Sequence, residues 1–201
     1  MITLQPEGFT VSEIRTDYEA LKIILKSRLN EKRYYHSLCV ADEAKRLAVK
    51  YGGNREKAYL AGLLHDITKN SSDEEHLQIF KESDIILNDI EKNAKKLWHA
   101  MSGAEYVKRV IGIEDAEIID AIRYHTTAKA DMSLLAKILY LADFTSADRD
   151  YEDVDVIRKY VDESLEKAFV YALEYSITDL VSQGRAIHID TVEAYNQAVL
   201  Q

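Results

Sequence analysis

Residues 55–67, REKAYLAGLLHDI, decide the fold. Apolar side chains surround this segment on nearly every side, the pattern of a helix at the centre of a domain rather than on its surface. Asn54 stands where an N-cap is needed, and the helix it starts ends in an adjacent imidazole and carboxylate, His65 and Asp66. A carboxylate buried in such surroundings is costly unless it is paired or bound to a metal.

Around this helix the sequence predicts more helices. Asp17 caps one running to about Leu29, with Tyr18, Leu21, Ile24 and Leu25 on a single face. Another runs from Glu31 to Tyr51, where Val40, Ala44, Leu47 and Ala48 keep the helical period and Gly52-Gly53 stops it. Ser72 and Glu75 read as a capping box for a short helix ending near Lys81. Further helices are expected near 88–97, 102–111, 115–125, 133–144, 154–161 and 163–183. Gly184 ends the last of these, and a final amphipathic helix follows Thr191. RAIHID (185–190) alternates weakly and the first dozen residues could be extended, but neither predicts a sheet. With one proline, seven glycines and no linker or repeat, the reading is all-α and a single domain over 1–201. Its core lies at about 17–150, and C-terminal helices from about 151 complete it.

The composition excludes several classes. No run approaches the roughly 20 apolar residues that span a bilayer, and the N-terminus lacks the basic and apolar regions of a signal peptide. The single cysteine, Cys39, sits in an apolar-periodic stretch and reads as a small buried hydrophobe. The expected compartment is the cytoplasm. A net charge of −9 disfavours nucleic-acid backbones. It leaves room for a small phosphorylated ligand, because bound cations and local basic residues can invert the field within a cleft.

Four of the six histidines, His36, His65, His99 and His125, lie within or at the end of apolar helical stretches, whereas His76 and His188 have polar or terminal neighbours. Asp143 repeats the puzzle of Asp66, since it interrupts the apolar helix AKILYLADF. A lone histidine of this kind is more often a hydrogen-bonded core residue, and a lone His-Asp pair says little. The joint order H…HD…H…H…D, with every member in a buried-looking helix, instead predicts a mixed nitrogen and oxygen ligand set for iron, manganese, zinc or similar divalent ions. Tyr34, Tyr35, Tyr124 and Tyr140 lie near these residues and are expected to pack in the core; the acidic run Asp148 to Asp155 reads as a solvated helix start.

The same order on an all-helical chain resembles the HD-domain metal phosphohydrolases. YYHSLCVA, AGLLHDITK, HAMSGAEYV, AIRYHTT and KILYLADF are similar to one branch, the bacterial symmetrical diadenosine tetraphosphate hydrolases. The resemblance implies two divalent metal ions, iron as the first expectation and manganese, cobalt or zinc as alternatives. It assigns one metal to His36, His65, Asp66 and Asp143, the second to His99 and His125, with Asp66 bridging. Lys69 matches a family lysine with a catalytic and phosphate-binding role, and Arg33 and Arg149 match substrate-binding basic residues. The implied substrate is a dinucleoside polyphosphate, cleaved to two ADP. A nucleotidase or guanosine tetraphosphate hydrolase of the same class, and a non-catalytic nucleotide sensor, stay open, as does a homodimer. Two segments depart from the family pattern: Ala128-Lys129 stands for Gly-Arg, and Thr145 to Ala147 replaces a stretch containing Glu-Pro.

Overall fold

The structure, a computed structural model, describes residues 17–200. Every regular element among them is helical: α1 (Tyr18–Arg28), α2 (Glu31–Tyr51), α3 (Arg55–Leu64), α4 (Asp73–Glu82), α5 (Asp89–Asn93), a 3₁₀ turn (Lys95–Leu97), α6 (Trp98–Tyr106), α7 (Ala116–Tyr124), α8 (Leu134–Thr145), α9 (Val154–Glu163), α10 (Leu165–Ser182) and α11 (Ile189–Leu200). A π-helical turn, Val107–Ile111, extends α6, and Gly112 ends it at φ +79°. The weakly alternating 185–190 forms no strand and runs into α11, which starts two residues before Thr191. The first dozen residues lie outside the described chain.

Side-chain caps place most helix starts. Asp17, Asn30 and Asn54 accept backbone N–H groups at the heads of α1, α2 and α3, and Ser133 does so for α8. At Ser72 only half of the expected box forms. Its hydroxyl accepts from Glu75 N, but the Glu75 carboxylate turns to Arg28 on α1. An ion pair with a tertiary partner has outcompeted the local bond. The full reciprocal box sits instead at Asn88 and Glu91.

α3 is the central helix, packed against α2, α7 and α8. Its approach to α2 is set by Gly62: a Cβ there would lie 2.7 Å from Ala41 Cα, too close for any side chain. This contact brings the end of α3 alongside His36. Val40, Leu47, Leu63, Leu64, Ile122 and Leu139 join in one fully buried cluster, and α9 and α10 add Val161, Phe169 and Leu173 to it. Among the described residues no helix is long and apolar enough to cross a membrane.

Of the four tyrosines expected in the core, Tyr140 is buried and Tyr34 packs against the cluster. Tyr124 is half-buried, with Lys129 and Arg123 lying over its ring. Tyr35 departs from the expectation and is 58 % exposed, because its position on α2 faces away from α3.

Candidate metal centre

α3 stops at Leu64, so His65 and Asp66 occupy the turn beyond it rather than its last turn. That turn has a consequence for the ligand atoms. His65 Nδ1 donates to the Gly62 carbonyl at 2.7 Å. A carbonyl can only accept, so the proton is on Nδ1 and the Nε2 lone pair faces inward. The end of α7 repeats the device, with His125 Nδ1 donating to Ile122 O at 2.7 Å. His36, in the second turn of α2, uses a remote partner: its Nδ1 donates to Asp148 Oδ2 at 2.8 Å.

The structure brings all six expected ligand residues together. His36, His65 and Asp143 offer atoms within 4.8 Å of one another, and so do His65, Asp66 and His125. His65 thus belongs to both groups, whereas the family resemblance gives the bridging role to Asp66. His99 Nε2 is 3.1 Å from Asp66 Oδ1 and 3.1 Å from His125 Nε2. Neighbouring imidazoles stand edge to face, with ring centroids 4.9 Å apart for His65 and His125.

These contacts are frustrated without a cation. His36 Nε2 faces Asp143 Oδ1 at 2.9 Å while its Nδ1 is already committed to Asp148. His65 Nε2 and Asp66 Oδ1 are buried with no hydrogen-bond partner among the described residues. Several lone pairs therefore point at one small, largely buried volume, an arrangement that costs free energy unless a cation fills it. The donor set fits a divalent metal.

Burial pushes His65 down to about 3 and His99 to about 4, so both imidazoles are neutral near pH 7 and free to ligate. Burial alone would raise the two aspartates. For Asp66 the neighbouring charge of Lys69 works against it, and for Asp143 the Arg149 guanidinium does, and both carboxyls stand well below the usual range.

Three cations close on the cluster. Arg33 Nη1 lies 3.0 Å from Asp66 Oδ2, and Lys69 Nζ lies 2.9 Å from His99 Nε2 and 3.6 Å from Asp66 Oδ1. Arg149 donates from Nε to the Asp143 carbonyl at 2.7 Å and from Nη2 to its carboxylate.

Sequence reasoning missed Asp148. It is no part of a solvated helix start: its side chain is 16 % exposed, with Oδ2 on His36 and Oδ1 accepting from Ser146 Oγ at 2.8 Å. The unusual segment Thr145 to Ala147 is thus the turn that aims it. No local pattern separates Asp148 from the acidic residues after it. The other unusual segment has a different explanation. Ala128 is fully buried at φ +56°, a backbone region that favours glycine, and Lys129 turns away to Asp120 on α7. His76 and His188, with polar or terminal neighbours in sequence, are both buried. His76 Nδ1 meets Ser102 Oγ at 2.7 Å, and Thr68 Oγ1 beside it donates to the His99 carbonyl at 2.9 Å, bracing that residue from behind.

An all-helical core whose central helix delivers a His-Asp pair into a ring of further histidines defines an HD-type metal-site protein. The HD domain family matches residues 33–148. The symmetrical bis(5'-nucleosyl)-tetraphosphatase of Halalkalibacterium halodurans is 37% identical over 91% of this chain and 97% of its own. That of Bacillus subtilis is 35% identical over 90% and 96%. A crystal structure from Clostridium acetobutylicum, described as a predicted HD superfamily hydrolase involved in NAD metabolism, superposes with a TM-score of 0.89 at 38% identity, covering 92% of this chain and 97% of that one. The chain belongs to the HD-domain family and, within it, to the group of symmetrical bis(5'-nucleosyl)-tetraphosphatases that these relatives represent.

Proposed function

We propose that the protein hydrolyses dinucleoside tetraphosphates, diadenosine tetraphosphate first among them, symmetrically to two ADP. The observation that carries this is the convergence of imidazole and carboxylate lone pairs on one buried volume, with Arg33, Lys69 and Arg149 at its edge. His36, His65, Asp66 and Asp143 would hold one divalent cation, His99 and His125 a second, with Asp66 shared. The chemistry that divalent cations supply when bound is Lewis acidity toward phosphoryl oxygens and acidification of water.

The chain's own groups do the rest. The bonds from Gly62 O, Ile122 O and Asp148 keep each Nδ1 protonated and each Nε2 available. Lys69, already within hydrogen-bond distance of His99, and Arg33 present N–H donors to the non-bridging phosphate oxygens and stabilise charge as it grows there. Water adds to a phosphorus beside the central bridging oxygen, the bond to that oxygen breaks, and the departing ADP carries the electron pair. Arg149, fixed to Asp143, lies where it can meet the same polyphosphate.

The test is to incubate metal-loaded protein with diadenosine tetraphosphate and separate the nucleotides. ADP alone is expected; ATP with AMP, or no turnover with any metal, overturns the reading. Imidazole with carboxylate suits iron, and also manganese, cobalt and zinc; elemental analysis of protein purified without chelator decides among them.

A further inference from the structure

A cavity of about 640 Å³ opens between the 3₁₀ turn after α5, the Thr126-Thr127 loop after α7, and the junction of α10 with α11. This is the size range of small-ligand sites. Its position is tied to the metal centre by the chain itself. Leu97 precedes His99 by two residues, and Thr126-Thr127 directly follows His125, so both segments that carry the second pair of histidines also wall the cavity.

The wall has a distinct chemistry. In a chain of net charge −9 it contains Lys92, Lys95, Lys96 and Arg185, and no aspartate or glutamate lines it. Lys92 and Lys95 have carboxylate partners in Asp89 and Asp73, but Lys96 and Arg185 have none among the described residues. Ile90, Leu97 and Leu180 offer apolar surface between these charges. The hydroxyls of Thr126 and Thr127 are buried with no hydrogen-bond partner among the described residues, although Thr191 Oγ1 donates to the Thr127 carbonyl beside them. Neither oxygen is open to solvent, so both lie behind the cavity wall, and the charges and apolar surface are what a ligand would meet.

We infer that this cavity holds one nucleoside diphosphate half of the substrate, the base and ribose against the apolar wall and the phosphates drawn toward His99 and His125 by Lys96 and Arg185. The inference rests on the functional reading above. A cleaved dinucleotide needs a seat on each side of the reacting phosphorus, and this one is walled by the segments that carry His99 and His125, with none of Arg33, Lys69 or Arg149 in its lining.

The test compares three proteins with wild type: the pair Lys96→Glu with Arg185→Glu, Ala186→Trp at an exposed position of the lining, and a control, Lys50→Glu with Arg55→Glu. The control makes the same change in net charge at exposed positions at the far ends of α2 and α3 from His36 and His65. Steady-state kinetics with diadenosine tetraphosphate and calorimetric titration with ADP are both read. Each cavity variant is expected to raise KM and weaken ADP binding at least about tenfold, with kcat within about threefold and metal content unchanged, the scale of losing one charged contact. If wild type releases no ADP from the tetraphosphate, the functional reading falls, and the ADP titration still judges the cavity. If wild type releases ADP and both cavity variants match the control, the cavity assignment is overturned and the functional reading stands.

Discussion

The two flanks of the metal centre hold their histidines in different ways. On one, His36 depends on Asp148, 112 residues away, and Asp143 is clamped by Arg149. On the other, His125 is oriented by the carbonyl of Ile122, three residues back, as His65 is by Gly62. An imidazole bonded to its own helix is set as soon as that helix forms. One bonded to a distant carboxylate is set only when the whole domain has closed. The first flank is therefore the more exposed to mutation, because a side chain can be replaced and a carbonyl cannot.

The largest expected effect comes from residues that serve both flanks. Asp66→Asn and His65→Ala should each lower kcat/KM by at least about 10³, several kcal/mol of transition-state stabilisation; Asp66→Asn should release both metals, and His65→Ala the one it would hold with His36 and Asp143. Retention of two metals per chain in either variant, measured by elemental analysis, would remove the shared role.

Asp148 probes the asymmetry itself. Asp148→Ala should reduce metal affinity or activity by about 10- to 100-fold, the usual cost of losing an outer partner of a ligand histidine. Asp148→Asn, which can still accept from Nδ1, should recover part of it. Unchanged metal binding in Asp148→Ala would mean that the flanks are equivalent after all.

Stability changes come next. Gly62→Ala forces a Cβ into Ala41 Cα and should cost about 1–3 kcal/mol in chemical denaturation. Activity should fall with it, because the same contact sets the distance from His65 to His36. In acid, the metal-free protein should weaken from a defined point. Unfolded, His65 and His99 take up protons below about pH 6.5. Folded, they stay neutral down to about 3 and about 4. The unfolded state therefore binds more protons in this window, and stability drops as pH falls, by about 1.4 kcal/mol per unit for each histidine. A thermal midpoint of chelator-treated protein that stays flat between pH 7 and pH 5 would contradict their burial in neutral form.

The smallest effect is expected at Ala128. Replacing it by glycine relieves left-handed strain of roughly 1–2 kcal/mol and removes a buried methyl of about 0.8 kcal/mol. The net should be a gain below about 1 kcal/mol in the denaturation midpoint, leaving His125 and activity untouched.

Much of this molecule is legible before folding is considered. The caps at Asp17, Asn30, Asn54 and Ser133 act over three residues, and apolar periodicity acts over one or two turns. The central helix and the buried settings of His36, His65, Asp66, His99 and His125, with Asp143 half-buried beside them, can therefore be read along the chain. Legibility fails where a local choice competes with a distant one. Glu75 leaves its capping box for Arg28, His76 is buried against Ser102, and Asp148 leaves an acidic run for His36. The cavity beside His99 and His125 joins segments about 30 to 100 residues apart, so no window of sequence contains it.

The sequence by itself thus determined an all-helical chain and the residue types of its candidate metal centre, because helix formation and ligand chemistry are properties of short segments. Tertiary structure alone decided which nitrogen of His36 faces inward, which carboxylate stands behind it, and which cations close the site. Those depend on distances between elements, and Gly62 against Ala41 sets the first of them.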